Sequence, residues 1–157
     1  MLTSVKLALI ADMGQWDVEQ CDARGLPSGD VISAYYSDDA ASLLEKCTLP
    51  RTGMYLARAG SVALGCVGHA GHGDVAEIVK LFVRPEARGE GAGSRLLATA
   101  LDAIGRSEFR RVRLVTISFM TDAIALYRRF GFLECEPFEP APTGLEEATR
   151  YMEMVIR

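Results

Sequence analysis

The chain has 157 residues, is 49% hydrophobic and carries a net charge of −4. That composition describes one ordinary domain, 1–157, which can bury its own core, and its acidic balance excludes general nucleic-acid binding. Four scattered cysteines (Cys21, Cys47, Cys66, Cys135), with no C-x-x-C and no His close by, read as reduced thiols rather than metal ligands or disulfides. The early apolar run Leu7 to Ala11 is too short to span a bilayer and no signal-type cleavage site follows it, so a cytoplasmic protein is expected.

In chain order, Val5 to Ala11 reads as a first strand. Met13 to Asp22 and Ser28 to Tyr36 read as helices, broken by Gly25-Leu26-Pro27. Ser37, followed by Asp38 and Asp39, predicts a cap for a helix over Ala40 to Lys46, closed by Pro50 and Gly53. Met54 to Arg58 and Val62 to His69 predict a hairpin through Ala59-Gly60-Ser61, and a turn at His72-Gly73-Asp74 leads into a third strand, Val75 to Val83. After a glycine-rich loop, Leu96, Leu97, Ala100, Leu101 and Ile104 lie on one face of a helix over Gly93 to Arg106. The arginines between Arg106 and Arg113 read as a solvated helix end. Val112 to Phe119 is a β-branched strand. The next helix, Asp122 to Phe130, is capped by Thr121 or Ser118 and ends with Gly131 as its C′ glycine. Leu133 to Phe138 and Arg150 to Ile156 are the last strands, separated by a Pro-rich loop from Glu139 to Gly144. The predicted order is βααβββαβαβ(β).

The loop Arg88-Gly89-Glu90-Gly91-Ala92-Gly93-Ser94 sits between a strand and a helix. Glycines there let backbone approach a ligand, and the first N–H groups of a helix have no internal partner. With the positive end of the helix dipole behind them, they suit a phosphate group. The P-loop pattern fails for want of a Lys, and the dinucleotide pattern fails because Ser94 stands where its third Gly should be. What fits is R-x-x-G-x-G, as Arg88, Gly91 and Gly93.

This motif resembles the pyrophosphate-binding signature of the GNAT superfamily, the acyl-CoA-dependent N-acetyltransferases. The strand A-E-I-V-K-L-F-V-R-P before it and A-I-A-L-Y-R-R-F-G-F (Ala123 to Phe132) after it also look like that family, in the expected order. The resemblance covers roughly Met54 to Arg157 and implies an α/β fold with a mixed, mostly antiparallel central sheet and helices on both faces. It implies acetyl-CoA as acetyl donor, held by main-chain groups of Arg88 to Ser94 at its pyrophosphate and of Leu81, Phe82 and Val83 at its pantetheine arm.

Two side chains take expected catalytic roles from the same resemblance. Glu77 lies inside an otherwise apolar strand, where a carboxylate is costly unless paired or facing a wet cleft. Some family members use a glutamate at the matching place as general base, and the competing reading is a structural carboxylate paired with Lys80 or an arginine. His69 is the second choice of base, otherwise a solvated histidine. Tyr127 matches the tyrosine that protonates the leaving thiolate, and is otherwise a packed core tyrosine. Met120 stands where many members carry an Asn that binds the pantetheine arm. No cysteine falls in these segments, so direct transfer in a ternary complex is expected, to a small-molecule primary amine rather than a protein. Asp12, Asp17, Asp38 and Asp39 near the acceptor side hint at a cationic amine. No metal and no membrane partner is expected, and the resemblance implies a homodimer. The alternative is a GNAT-like module that senses acyl-CoA with little catalysis.

Overall fold

The first element departs from expectation. In the computed structural model, which describes residues 2–36 and 51–156, helix α1 runs over Leu2–Ala23 and absorbs the predicted first strand. A short, nearly all-apolar run cannot separate a strand from a buried helix turn. Packing decides it, because Val5, Leu9, Met13 and Trp16, spaced i, i+4, i+8, i+11, all meet one apolar cluster with Ala63, Cys66 and Phe82. Helix α2 follows at Ser28–Tyr35. The helix expected over 40–46, its cap at Ser37 and Cys47 lie outside the described residues.

The rest follows the predicted order. Strands β1 (Gly53–Ala59), β2 (Val62–His72) and β3 (Val75–Val83) form an antiparallel meander. A 3₁₀ turn at Pro85–Ala87 precedes α3 (Ala92–Gly105), β4 (Arg111–Ile117), α4 (Thr121–Arg129), β5 (Leu133–Glu134) and β6 (Thr149–Val155). The six strands lie in the order β1-β2-β3-β4-β6-β5, with β3 and β4 the parallel pair. β5 is shorter than its predicted run, which meets Pro137, a residue unable to donate to a ladder.

Helices cover both faces of the sheet. Leu96, Leu97, Ala100 and Ile104 of α3 and Ile124, Leu126 and Tyr127 of α4 pack in one cluster with Val67, Ala76, Ile78, Leu114 and Met152. α1 covers the other face. α4 ends in a Schellman motif, with Gly131 (φ 102°) donating to Arg128 O and Phe132 donating to Tyr127 O. Its start differs from expectation: Met120 is the N-cap and no side chain caps it, neither Thr121 nor Ser118. No helix among the described residues is long and apolar enough to cross a membrane.

Two irregularities of β3 shape the site. Its register with β2 moves from Gly68↔Val79 to Cys66↔Phe82, so Lys80 and Leu81 together oppose Val67. Lys80 has φ 54°, the left-handed region, and the strand changes faces there. Before the bulge Ala76 and Ile78 face α3 and α4; after it Leu81 and Val83 do, while Phe82 turns to α1. The second irregularity is a fork: β3 pairs with β4 only over Val75–Glu77 against Arg111–Arg113, and beyond Glu77 the two strands part. Gly65 lets β2 close against the bulged segment, since a Cβ there would meet Phe82 O at 2.4 Å. Gly65→Ala is therefore expected to lower stability by about 1–3 kcal/mol, read from urea unfolding.

Candidate active site

The fork opens into a cleft of about 590 Å³ with four walls. One is the end of β3, Leu81, Phe82 and Val83. The second is the glycine loop, of which Arg88, Gly89, Gly91, Ala92, Gly93 and Ser94 line the cleft while the exposed Glu90 does not. The third is the stretch entering α4, from Phe119 to Ala123 with Leu126, and here Met120 takes its place in the lining. The fourth is α1, through Met13, Trp16, Asp17, Gln20 and Arg24.

The loop is built as the sequence suggests. Gly89 has φ 87°, and Gly91, the N-cap of α3, has φ 83°, both left-handed conformations that cost a residue with a Cβ. No side chain caps the helix, so its first N–H groups are left for water or a ligand. Arg88 ties the loop down: its Nε donates to Val83 O at 2.8 Å and its guanidinium carbon lies 4.5 Å from the Trp16 ring centroid. These contacts fasten α1 to the end of β3 across the cleft mouth.

The structure does not gather every expected side chain here. Glu77 sits at the apex of the fork, the last residue of β3 paired with β4, but does not line the cleft. Its Oε2 lies 3.5 Å from Arg113 Nη2 and 3.4 Å from His72 Nε2, with the side chain 15% exposed. The arginine partner considered from the sequence is thus present, and it is Arg113. Tyr127 is 6% exposed and packs edge-on against Phe132 with ring centroids 5.8 Å apart. Leu126 beside it lines the cleft; Tyr127 does not. Burial pushes its phenol well above the usual range.

His69 is not solvated. It is buried on the other face from Glu77 (it stands opposite Ile78), stacked on Tyr55 at 5.9 Å, and its Nδ1 has no partner among the described residues. Burial lowers its pKa, and the missing Cβ of Gly53 makes room for the ring. As a rival base it is set aside.

What sequence reasoning missed is the α1 wall. Asp17 is 6% exposed; its Oδ2 accepts a 2.5 Å hydrogen bond from the Tyr36 hydroxyl, and its Oδ1 has no partner among the described residues. Burial raises its carboxyl pKa, opposed by the Tyr36 hydrogen bond and by the charges of Lys80 and Arg88. Lys80 Nζ donates to Tyr35 O and lies 3.8 Å from the Tyr36 ring centroid. The helical spacing Met13, Trp16, Gln20, Arg24 carries the signal for this wall, and the helix expected over Met13 to Asp22 already held most of it; what the sequence did not show is the burial of Asp17.

Comparison with known proteins bears on the family and the fold. The sequence model of the Acetyltransferase (GNAT) family matches residues 16–132. The chain is 32% identical over 122 residues to an IAA acetyltransferase of Azospirillum brasilense, covering 75% of this chain and 78% of that one. Among solved structures it resembles the acetyltransferase yncA of Salmonella typhimurium, determined with its cofactor acetyl-CoA, at TM-score 0.65 and 18% identity over 76% of this chain and 75% of that chain. A GNAT-family acetyltransferase from Staphylococcus aureus matches 99% of this chain and 93% of its own at TM-score 0.66 and 15% identity. At such identities the structural likeness bears on the fold alone.

Proposed function

The chain belongs to the GNAT family of acetyltransferases, which use acetyl-CoA, and from that premise we propose that it acetylates a small primary amine by direct transfer in a ternary complex. One observation carries the reading: a forked strand end and an uncapped helix N-terminus open into the same cleft. β3 has no β4 partner beyond Glu77, so the main chain of Leu81, Phe82 and Val83 is placed to pair with an extended pantetheine arm as a neighbouring strand would. The amides of Arg88 to Ser94 are placed for the diphosphate. Glu90, exposed and outside the lining, is given no contact of its own.

Transfer then needs the thioester carbonyl polarised, the amine deprotonated and the leaving thiolate stabilised. Main-chain N–H groups at the bulge serve the first need. Tyr127 is the proposed donor to the sulfur. With its phenol pKa raised, full proton transfer is uphill, so its contribution is a hydrogen bond that strengthens as charge grows on sulfur. Proton removal falls to a carboxylate at the fork, for which Glu77, held by Arg113 and His72, is the candidate on β3. A covalent acetyl-enzyme is disfavoured, because no cysteine among the described residues lines the cleft and burial pushes the nearby Cys66 thiol up to about 12. The proposal takes the chain as one acetyltransferase domain, cytoplasmic in location.

The test is thiol release from acetyl-CoA in the presence of a panel of small primary amines. Glu77→Gln is expected to lower kcat/KM for the amine by about tenfold or more if that carboxylate serves the base step, with CoA affinity retained. Unchanged turnover would remove Glu77 from the chemistry. A second reading, an acyl-CoA sensor, rests on Met120 in the lining where many relatives carry a ligand-binding Asn. It requires CoA binding with no turnover of any amine.

A further inference from the structure

Among the described residues of the cleft, Asp17 is a feature that acyl-donor binding does not use. The donor needs main-chain amides and cationic neighbours, and a buried carboxylate repels its phosphates. Nor does the local structure satisfy Asp17. The Tyr36 hydroxyl engages only Oδ2, and Oδ1 is buried with no partner among the described residues. The nearby cations are engaged elsewhere: Lys80 with Tyr35 O and the Tyr36 ring, Arg88 with Val83 O and Trp16, and neither forms an ion pair with Asp17. A buried carboxylate oxygen without a partner, on a residue that lines a ligand-sized cleft, is matched by a ligand that brings its own positive donor.

We propose that Asp17 Oδ1 receives the ammonium group of the acceptor and takes its first proton, Glu77 serving the second, which leaves after attack. The substrate class is then a cationic primary amine carrying an apolar or aromatic group, which Met13, Trp16, Phe82 and Phe119 would contact. This rests on the transferase reading and deepens it. An N–H proton of the ammonium passes to Asp17, and the freed nitrogen lone pair attacks the thioester carbon. The adduct nitrogen then loses its second N–H proton, the C–S bond breaks with its electron pair going to sulfur, and that proton ends on sulfur to give the thiol, while Asp17 returns the first proton to water. One ammonium and one acetyl thioester thus give one amide, one thiol and one proton.

The pH dependence has a definite sign. Only the ionised carboxylate binds and deprotonates the amine, and burial places its pKa above the ordinary 3.8. The groups facing it are Tyr36 after α2, Lys80 on β3 and Arg88 in the loop, while Asp122 and Arg129 of α4 and Arg24 of α1 line the same cleft. Activity therefore falls as pH drops through the raised pKa, and removing the Tyr36 hydrogen bond, which lowers that pKa, shifts the fall to higher pH.

The experiment compares 2-phenylethylamine, a cation at neutral pH, with its neutral isomer 4-ethylaniline as acceptors for acetyl-CoA. The wild type is expected to prefer the cation by about tenfold or more in kcat/KM, and Asp17→Asn to abolish that preference, raising the amine KM about tenfold with the acetyl-CoA KM unchanged. Tyr36→Phe leaves the carboxylate in place, so it is expected to keep the preference and to move the acidic limb of the kcat/KM profile upward. Calorimetric CoA binding verifies that each variant is folded. Turnover with an amine KM and a preference that ignore Asp17→Asn overturns this inference alone. A wild type that binds CoA yet acetylates no amine overturns the transferase reading and this one with it.

Discussion

Tyr127→Phe is expected to lower kcat by about 10²-fold while leaving folding stability and CoA affinity nearly unchanged. The ring makes the packing contacts, meeting Phe132 edge-on in the core, and phenylalanine keeps them. The hydroxyl forms no hydrogen bond among the described residues, so its loss gives up no native partner. What the hydroxyl gains by acting on a developing thiolate is a strong, low-dielectric hydrogen bond present only in the transition state. The raised phenol pKa keeps the donor proton in place through the neutral range, so the loss is expected to be independent of pH there. Steady-state kinetics and thermal unfolding of the same preparation check both halves. A large loss of stability with unchanged kcat would make Tyr127 a packing residue only.

The other large effect is expected at Gly91. Its φ of 83° lies where a β-branched residue is strained, and a Cβ there would meet only Arg95 Nη1, at 4.0 Å. Crowding is therefore not the obstacle; backbone conformation is. Gly91→Val is expected to cost about 1–2 kcal/mol of stability. Relieving that strain turns the amides of the first α3 turn away from their common target. Each charge-assisted hydrogen bond is worth about 1.5–3 kcal/mol, so losing one or two lowers CoA affinity by roughly 10–10³-fold. Pantetheine, which lacks the diphosphate, serves as the internal control in calorimetry: its affinity is expected to be unchanged by Gly91→Val. Equal losses for both ligands would mean that the loop supports the whole cleft rather than gripping phosphate.

Much of this was legible in the amino-acid sequence because it depends on local chemistry. Glycines at 89, 91 and 93 ahead of a clean helical face place the loop, Gly60 and Gly73 place the two hairpin turns, and Gly131 ends α4 in the left-handed conformation its position requires. The GNAT resemblance carried the fold for the same reason, since its motifs lie on these elements. What was hidden depends on partners distant in sequence. The bulge falls on Lys80, a residue with no preference for positive φ, so only the pairing of β2 with β3 reveals it. Glu77 finds Arg113 across the parallel pair, 36 residues away, and no pattern announces that partner. Val5 to Ala11 is a short apolar run with Lys6 as its only charge, which suits a strand or a helix alike, and Leu9 and Met13 meet their apolar neighbours wound as a helix. Asp17, named from the sequence among the aspartates near the acceptor side, owes its importance to burial beside Tyr36, which its neighbours in the chain do not show.

The central claim is that main-chain amides at the end of β3 and the start of α3 hold the donor. It is tested most directly by ¹⁵N-labelled protein titrated with CoA, following each backbone amide. Saturating shifts are expected at Gly89, Gly91, Ala92, Gly93 and Ser94 and at Leu81 to Val83, with the β1–β2 hairpin turn unmoved. Binding that shifts other amides while those of residues 88–94 stay where they were would contradict it.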